Sequence, residues 1–209
     1  MKNLNNQSGR SMIEMLGVLA IIGVLSVGGI AGYSKAMMKF KINKTLDQVA
    51  MTVTNIRTLY AQQGNYAGLN NSLARQLGLV DDAMKGTSSG SLKSPFGPIT
   101  ISLGNAALID ASGETNTAFQ LKLDNLPVDA CVAIATNAWG SAYSAGFLGV
   151  GVGAAPTACT TRSASTATTG GVACSSNNTT SAAQLMSVAT AATECAKNSG
   201  INSVYVKYY

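Results

Sequence analysis

Residues Met15 to Tyr33, MLGVLAIIGVLSVGGIAGY, carry no charge. With Met12 and Ile13 the stretch reaches the roughly 20 apolar residues that a helix needs to cross a bilayer. Nothing else in the chain limits the fold so strongly, because such a helix must sit in lipid or against other apolar surfaces. A polar leader, MKNLNNQSG, precedes it with one lysine. Glu14 stands near the front of the run. An ionisable group there costs a few kcal/mol and needs either headgroup water or a partner. A cleaved signal peptide is the obvious alternative, with Gly29 and Ala31 as a cleavage site. The run exceeds the about 7–15 residues usual for such a core. The absence of a nearby cysteine excludes a lipoprotein anchor.

The run leads into an amphipathic stripe. Ile42, Leu46, Val49, Val53, Ile56 and Leu59 or Tyr60 recur at spacings of three and four, one side of a helix. The first proline is Pro95, so nothing breaks the chain between the two segments. One helix is predicted from Ser11 to Gln62, about 75–80 Å long at 1.5 Å per residue, with Gly64 as its stop. Gly28 and Gly32 form a GxxxG pair that permits close helix approach. With Gly29 they also make Val27–Gly32 the place where helicity is most easily lost, since each interior glycine costs about 1 kcal/mol.

Charged residues are 11% of the 209 and hydrophobic ones 46%. With no histidine, Ser-His-Asp and Cys-His catalysis and His metal sites are excluded. Asp81 and Asp82 are adjacent in a loop, so no acid pair suggests an active site. No enzyme activity, metal or cofactor is expected. The net charge of +5 contains no long basic run, which argues against nucleic acid. Cys131, Cys159, Cys174 and Cys195 form no CxxC. An even number in a Ser/Thr/Gly-rich region points to disulfides and an oxidising compartment.

Beyond Gly64 a short helix is expected over 70–79, with Leu69, Leu73 and Leu77 inward. After the turn cluster Ser94–Pro98, Ile99, Ile101 and Leu103 alternate with polar residues. A second strand is expected over Ala106–Ile109, and a third where Phe119, Leu121 and Leu123 alternate with Gln120, Lys122 and Asp124. Together they make an antiparallel sheet with one polar face, the natural partner of the amphipathic stripe. Pro127 opens a helix with Val128, Cys131, Val132, Ala135 and Trp139 on one face. Ser181–Lys197 is a further helix, with Leu185, Val188, Ala189, Ala192, Cys195 and Ala196 inward. A closing strand, with Val204, Val206 and Tyr208 on one side, ends the chain. Residues 140–182 hold a single charge, Arg162, and read as a loose insertion or an exposed surface. Asn178-Thr179-Thr180 fits a glycosylation pattern that carries little weight here. Four cysteines allow three pairings. The nested set is favoured: Cys159–Cys174 closes a short loop worth about 3 kcal/mol, and Cys131–Cys195 a longer one worth about 4.

The segment GRSMIEMLGVLAIIGVLSV resembles the N-terminus of a type IV prepilin: a leader ending in glycine, then one residue, a small hydroxyl residue, two apolar residues and an acid before a long apolar helix. Gly9 ends the leader and Glu14 is the acid at the fifth place after it. KSPFGPITISL and NLPVDACVAIAT resemble the larger, type IVb class. The resemblance is strong over 9–62, moderate over 92–135 and 195–209, and absent over 140–190. It implies an α+β type IV pilin fold: a long N-terminal helix packed on an antiparallel sheet, with a disulfide-tied C-terminal region. It implies a leader at 1–9, a membrane and filament-core helix at 10–34, and a head at 35–209 whose helix 35–62 packs on the sheet. Prepilin peptidase would cut between Gly9 and Arg10 and methylate the new amine of Arg10. Members usually carry Phe or Met at that first place. Glu14 would face the N-terminal amine of a neighbouring subunit. Cys131 and Cys195 match the family's pair, whereas Cys159 and Cys174 are extra.

The function implied is a structural subunit of a type IV pilus in adhesion, aggregation or conjugation-type roles. Its partners would be other copies in a helical homopolymer, the peptidase, the inner-membrane assembly machinery and, before assembly, lipid. The precursor would span the inner membrane once, C-terminus in the periplasm, and end in an extracellular filament. Lys35, Lys39, Lys41 and Lys44 against Lys2 and Arg10 give no clear positive-inside signal; the cysteines and the prepilin pattern place the C-terminus outside. A minor pilin or secretion-system pseudopilin is the alternative, and a secreted binding module the reading from another class.

Overall fold

A computed structural model describes residues 12–104, 116–139, 146–156, 171–174, 186–197 and 201–209. The chain divides into two compact units, Met1–Phe40 and Lys41–Tyr209. Helix α1, Met12–Tyr60, belongs to both, and each unit is taken by itself.

Among the described residues the first unit is helix alone. Its run from Met12 to Tyr33 stays helical through Val27–Gly32. It is long and apolar enough to cross a membrane.

In the second unit α1 ends at Tyr60 and the chain turns at Gly64, whose φ of +70° suits a residue without a Cβ. The buried side of α1 is Thr45, Gln48, Val49, Thr52, Val53, Ile56 and Tyr60. The expected stripe holds for Val49, Val53, Ile56 and Tyr60. Ile42 and Leu46 are half-buried and Leu59 is exposed. Threonines fit the inner face because their hydroxyls donate to carbonyls one turn back, Thr45 to Lys41 at 2.9 Å and Thr52 to Gln48 at 2.8 Å.

Helix α2 is Asn71–Gln76, shorter than predicted, with the Asn70 side chain accepting from the Leu73 amide at 3.0 Å. Leu69 is buried, but Leu77 caps the helix and is exposed; Leu79 and Val80 take the inward places instead. A single 3₁₀ turn, Asp82–Met84, follows. The strands are β1 Leu92–Lys93, β2 Pro98–Gly104, β3 Ala118–Leu126, β4 Phe147–Val152, β5 Val172–Cys174 and β6 Asn202–Tyr208. They form one sheet in the order β1-β2-β3-β6-β4-β5, antiparallel throughout. The expected strand at Ala106–Ile109 lies outside the described residues. β6, predicted simply as a closing strand, sits inside the sheet between β3 and β4.

The inner face is Ile99, Ile101, Phe119, Leu121, Leu123, Val204, Val206 and Tyr208, all buried; each such side chain contributes about 1.5–3 kcal/mol. An aromatic chain ties helix to sheet, from Tyr60 to Tyr66 (5.3 Å between ring centres), Phe119 (4.7 Å), Tyr208 (5.9 Å) and Phe147 (5.6 Å). The α+β expectation of a long helix and an antiparallel sheet is therefore met.

Two expectations fail. The described part of 140–182 is neither loose nor merely surface: β4 lies within it and all six of its residues are buried. Its sequence, FLGVGV, is a continuous apolar run, the pattern of a strand covered on both sides. Nor is the outer face polar throughout. Ala118, Leu148 and Cys174 form a second small core there, with Val172 and Tyr209 packed against it.

Helix α3 is Val128–Ala135, with Pro127 as the residue before its first turn. Its buried side is Ala130, Cys131, Ile134 and Ala135, rotated from the expected one; Val128 and Val132 are half-buried. Helix α4 is Val188–Ala196; the expected start at Ser181 and Leu185 lie outside the described residues. Only Ala191 and Cys195 are buried on it, and Val188, Ala189, Ala192 and Ala196 are exposed. A stripe of alanines leaves the buried side of a helix undetermined by pattern alone.

Candidate assembly site

Glu14 lies in the first turn of α1, where the helix dipole favours an acid. It is the one charged residue between Met12 and Ser34. It is exposed and makes no ion pair among the described residues. Ser26 within the run and Ser34 just after it are satisfied within the helix, Ser26 donating to the Ile22 carbonyl at 2.7 Å and Ser34 to that of Ile30 at 3.0 Å. Thirteen large apolar residues from Met12 to Tyr33 are each 53–84% exposed. A Cβ built on Gly28, Gly29 or Gly32 would meet nothing within 4 Å. These glycines thus serve no contact within the unit. Gly9 and Arg10 lie outside the described residues.

In the second unit Cys131 and Cys195 are joined, Cα to Cα 6.0 Å, and tie α3 to α4. Both are fully buried. Cys174 is also disulfide-bonded; its expected partner, Cys159, lies outside the described residues. Among the described residues no group of acids and cysteines could hold a metal.

Beyond α3 the Trp139 indole donates to the Ile134 carbonyl at 2.9 Å, and the Tyr208 hydroxyl donates to the Trp139 carbonyl at 3.0 Å. Burial raises the pKa of the Tyr208 hydroxyl. Arg57 of α1 sits over the Tyr209 ring at 5.9 Å. At Gly146 an added Cβ would lie 2.6 Å from the guanidinium carbon, and φ there is +77°. An open groove of about 590 Å³ runs between Ala50, Val53, Thr54 and Arg57 on one side and Trp139 and Tyr208 on the other. On the sheet's outer face Lys122 pairs with Asp124 at 2.9 Å, which raises its pKa, and Ser203 donates to Asp124 at 2.5 Å. Lys207 alternates with inward residues and so reads as exposed, yet it is 3% exposed, with its amine 3.5 Å from the Pro156 carbonyl. Burial lowers its pKa to about 8. Neither Arg57 nor Lys207 was singled out by the sequence. The only available signal for Lys207 was the apolar neighbourhood of β4.

The Bundlin family model matches residues 35–209. The major structural subunit of bundle-forming pilus from Escherichia coli O127:H6 is 28% identical over 134 residues, 64% of this chain and 66% of the relative. The same subunit from Escherichia coli O111:H- gives the same figures. The match thus spans just under two thirds of these relatives' length. Among solved structures, a type IV b pilin from Salmonella typhi is similar with TM-score 0.45 and 19% identity, over 76% of this chain and 94% of the other. TcpA, a type IV pilin from Vibrio cholerae El Tor biotype, is similar with TM-score 0.48 and 21% identity, over 81% and 98%. The family model alone takes in all of the described sheet and both disulfide-joined helices, and the chain belongs to the Bundlin family.

Proposed function

We propose that this protein is a structural pilus subunit, made as a membrane-anchored precursor and polymerised through its N-terminal helix into an extracellular filament. The observation that carries the reading is the exposed apolar surface of 12–33, which is covered by nothing among the described residues. Such a surface is stable in lipid or against copies of itself. At about 1.5–3 kcal/mol per buried side chain, thirteen of them drive assembly strongly. A head-to-tail contact that does not close produces a helical filament. The family and the E. coli relatives support the same role.

In this reading residues 1–9 are a leader removed by a prepilin peptidase after Gly9, and Arg10 carries the new amine and its methyl group. Residues 10–34 anchor the precursor in the inner membrane and later form the filament core, and 35–209 make the head, facing the periplasm before export. Glu14 fixes axial register by meeting the amine of a neighbour, since an unpaired acid in that core is costly. Gly28, Gly29 and Gly32 allow close approach or local loosening. Cys131–Cys195 and Cys159–Cys174 hold the head in open medium. The assembly machinery passes the subunit from membrane to filament. The role is assembly and not catalysis.

The test is direct. Negative-stain images of the assembled material are expected to show long filaments, and N-terminal sequencing of their subunit a start at Arg10. Discrete particles with a start at Gly32 would overturn the reading in favour of a secreted module.

A further inference from the structure

Two of the four lysines that follow the apolar run, Lys35 and Lys39, share a side of the helix with Glu14. At about 100° per residue, Glu14, Gly17, Gly28, Gly32, Lys35 and Lys39 fall within a sector of about 60°, and the same count puts Lys41 and Lys44 outside it. Lys35 and Lys39 are exposed and, among the described residues, take part in no ion pair. This side therefore has an acid at one end, two amines at the other, and apolar surface with open glycines between.

The separation is 21 residues from Glu14 to Lys35 and 25 to Lys39, or about 32–38 Å at 1.5 Å per residue. No pairing within one helix can span that distance. Two parallel copies displaced by it would bring the acid of one onto the amines of the other. On the reading that this chain assembles with itself, we infer that Glu14 of one copy seats against Lys35 and Lys39 of a second, parallel copy displaced by about 32–38 Å along the helix axis. The charges would lie among apolar side chains, where an opposite partner matters most because an ion left alone there is heavily penalised. The glycines on the same side let the two backbones approach. A carboxylate has two oxygens and about four lone-pair sites, so it accepts a lysine amine in addition to an N-terminal amine. The shift that satisfies Glu14 thus also sets the stagger between strands of subunits.

The double variant Lys35→Gln, Lys39→Gln is compared with Lys41→Gln, Lys44→Gln, which removes the same charge outside the sector. Membrane-fraction protein, disulfide state and filament yield are measured for both. The first variant is expected to lose filaments by about tenfold with its membrane-fraction protein unchanged, and the second to keep them. Equal yields from the two variants would overturn the pairing. So would a first variant that leaves the membrane but still forms normal filaments, which would assign these lysines to lipid headgroups. Carbodiimide treatment of wild-type filaments, followed by peptide mass analysis, is expected to join Glu14 to Lys35 or Lys39. A link from Glu14 to residue 10 alone would overturn the pairing and leave self-assembly standing. Absence of filaments from the wild-type chain would instead remove the proposed function itself.

Discussion

Lys207 shows how far a single residue can depart from its pattern. In the strand it alternates outward with Tyr205, but Pro156 covers it. Its cover comes from a segment 51 positions away, so no local rule could reveal it. The pKa consequence has a definite sign. The amine holds its proton to about pH 8 in the fold and to 10.5 unfolded. The unfolded chain therefore binds more protons between those values, and stability rises as pH climbs through that window. Below pH 8 the cost of the buried charge is present in full. Lys207→Met should raise the unfolding free energy read from a urea titration of the full chain in detergent at pH 7 by roughly 1–3 kcal/mol, and the gain should vanish above pH 10.5. A gain that persists at high pH would trace to packing and not charge. Cys131 and Cys195 were each legible on a helical face, and the resemblance to type IVb pilins implied that they pair, as they do. Their separation is 64 residues. Cys131→Ser should cost about 3–4 kcal/mol, read in the same titration.

Elements were legible where the pattern is dense and local. The apolar run, the stripe around Val49–Ile56 and the alternation in β3 each announce their structure within about 10–20 residues. β4 was missed because its glycines and the Ser/Thr-rich surroundings hide a six-residue run. Its burial makes a sharp expectation. Phe147 packs on Tyr208 at 5.6 Å and is 1% exposed. Phe147→Ala should therefore destabilise the head by about 3–5 kcal/mol, whereas a loose insertion would tolerate it with no change in midpoint. The orientation of α4 was not legible, since its apolar residues are mostly alanines and the largest of them, Val188, faces outward.

For the whole molecule, the sequence displays assembly better than topology. The Gly9–Glu14 spacing and the apolar helix lie in one continuous stretch, so their logic survives without a fold. The strand order joins residues about 80 apart and leaves no trace in any window. Glu14→Ala should leave the precursor in the membrane fraction with its disulfides intact and abolish filaments; abundant normal filaments in negative stain would refute its register role. The placement of β6 governs when the head can exist at all. β1, β2 and β3 form one piece of sheet and β4 with β5 another, and only β6 pairs with both. A ribosome makes that seam last among the described strands. A chain stalled before Asn202 would hold two half-sheets, each with the edge that β6 covers left open, and the sheet could become continuous only once that last strand is available.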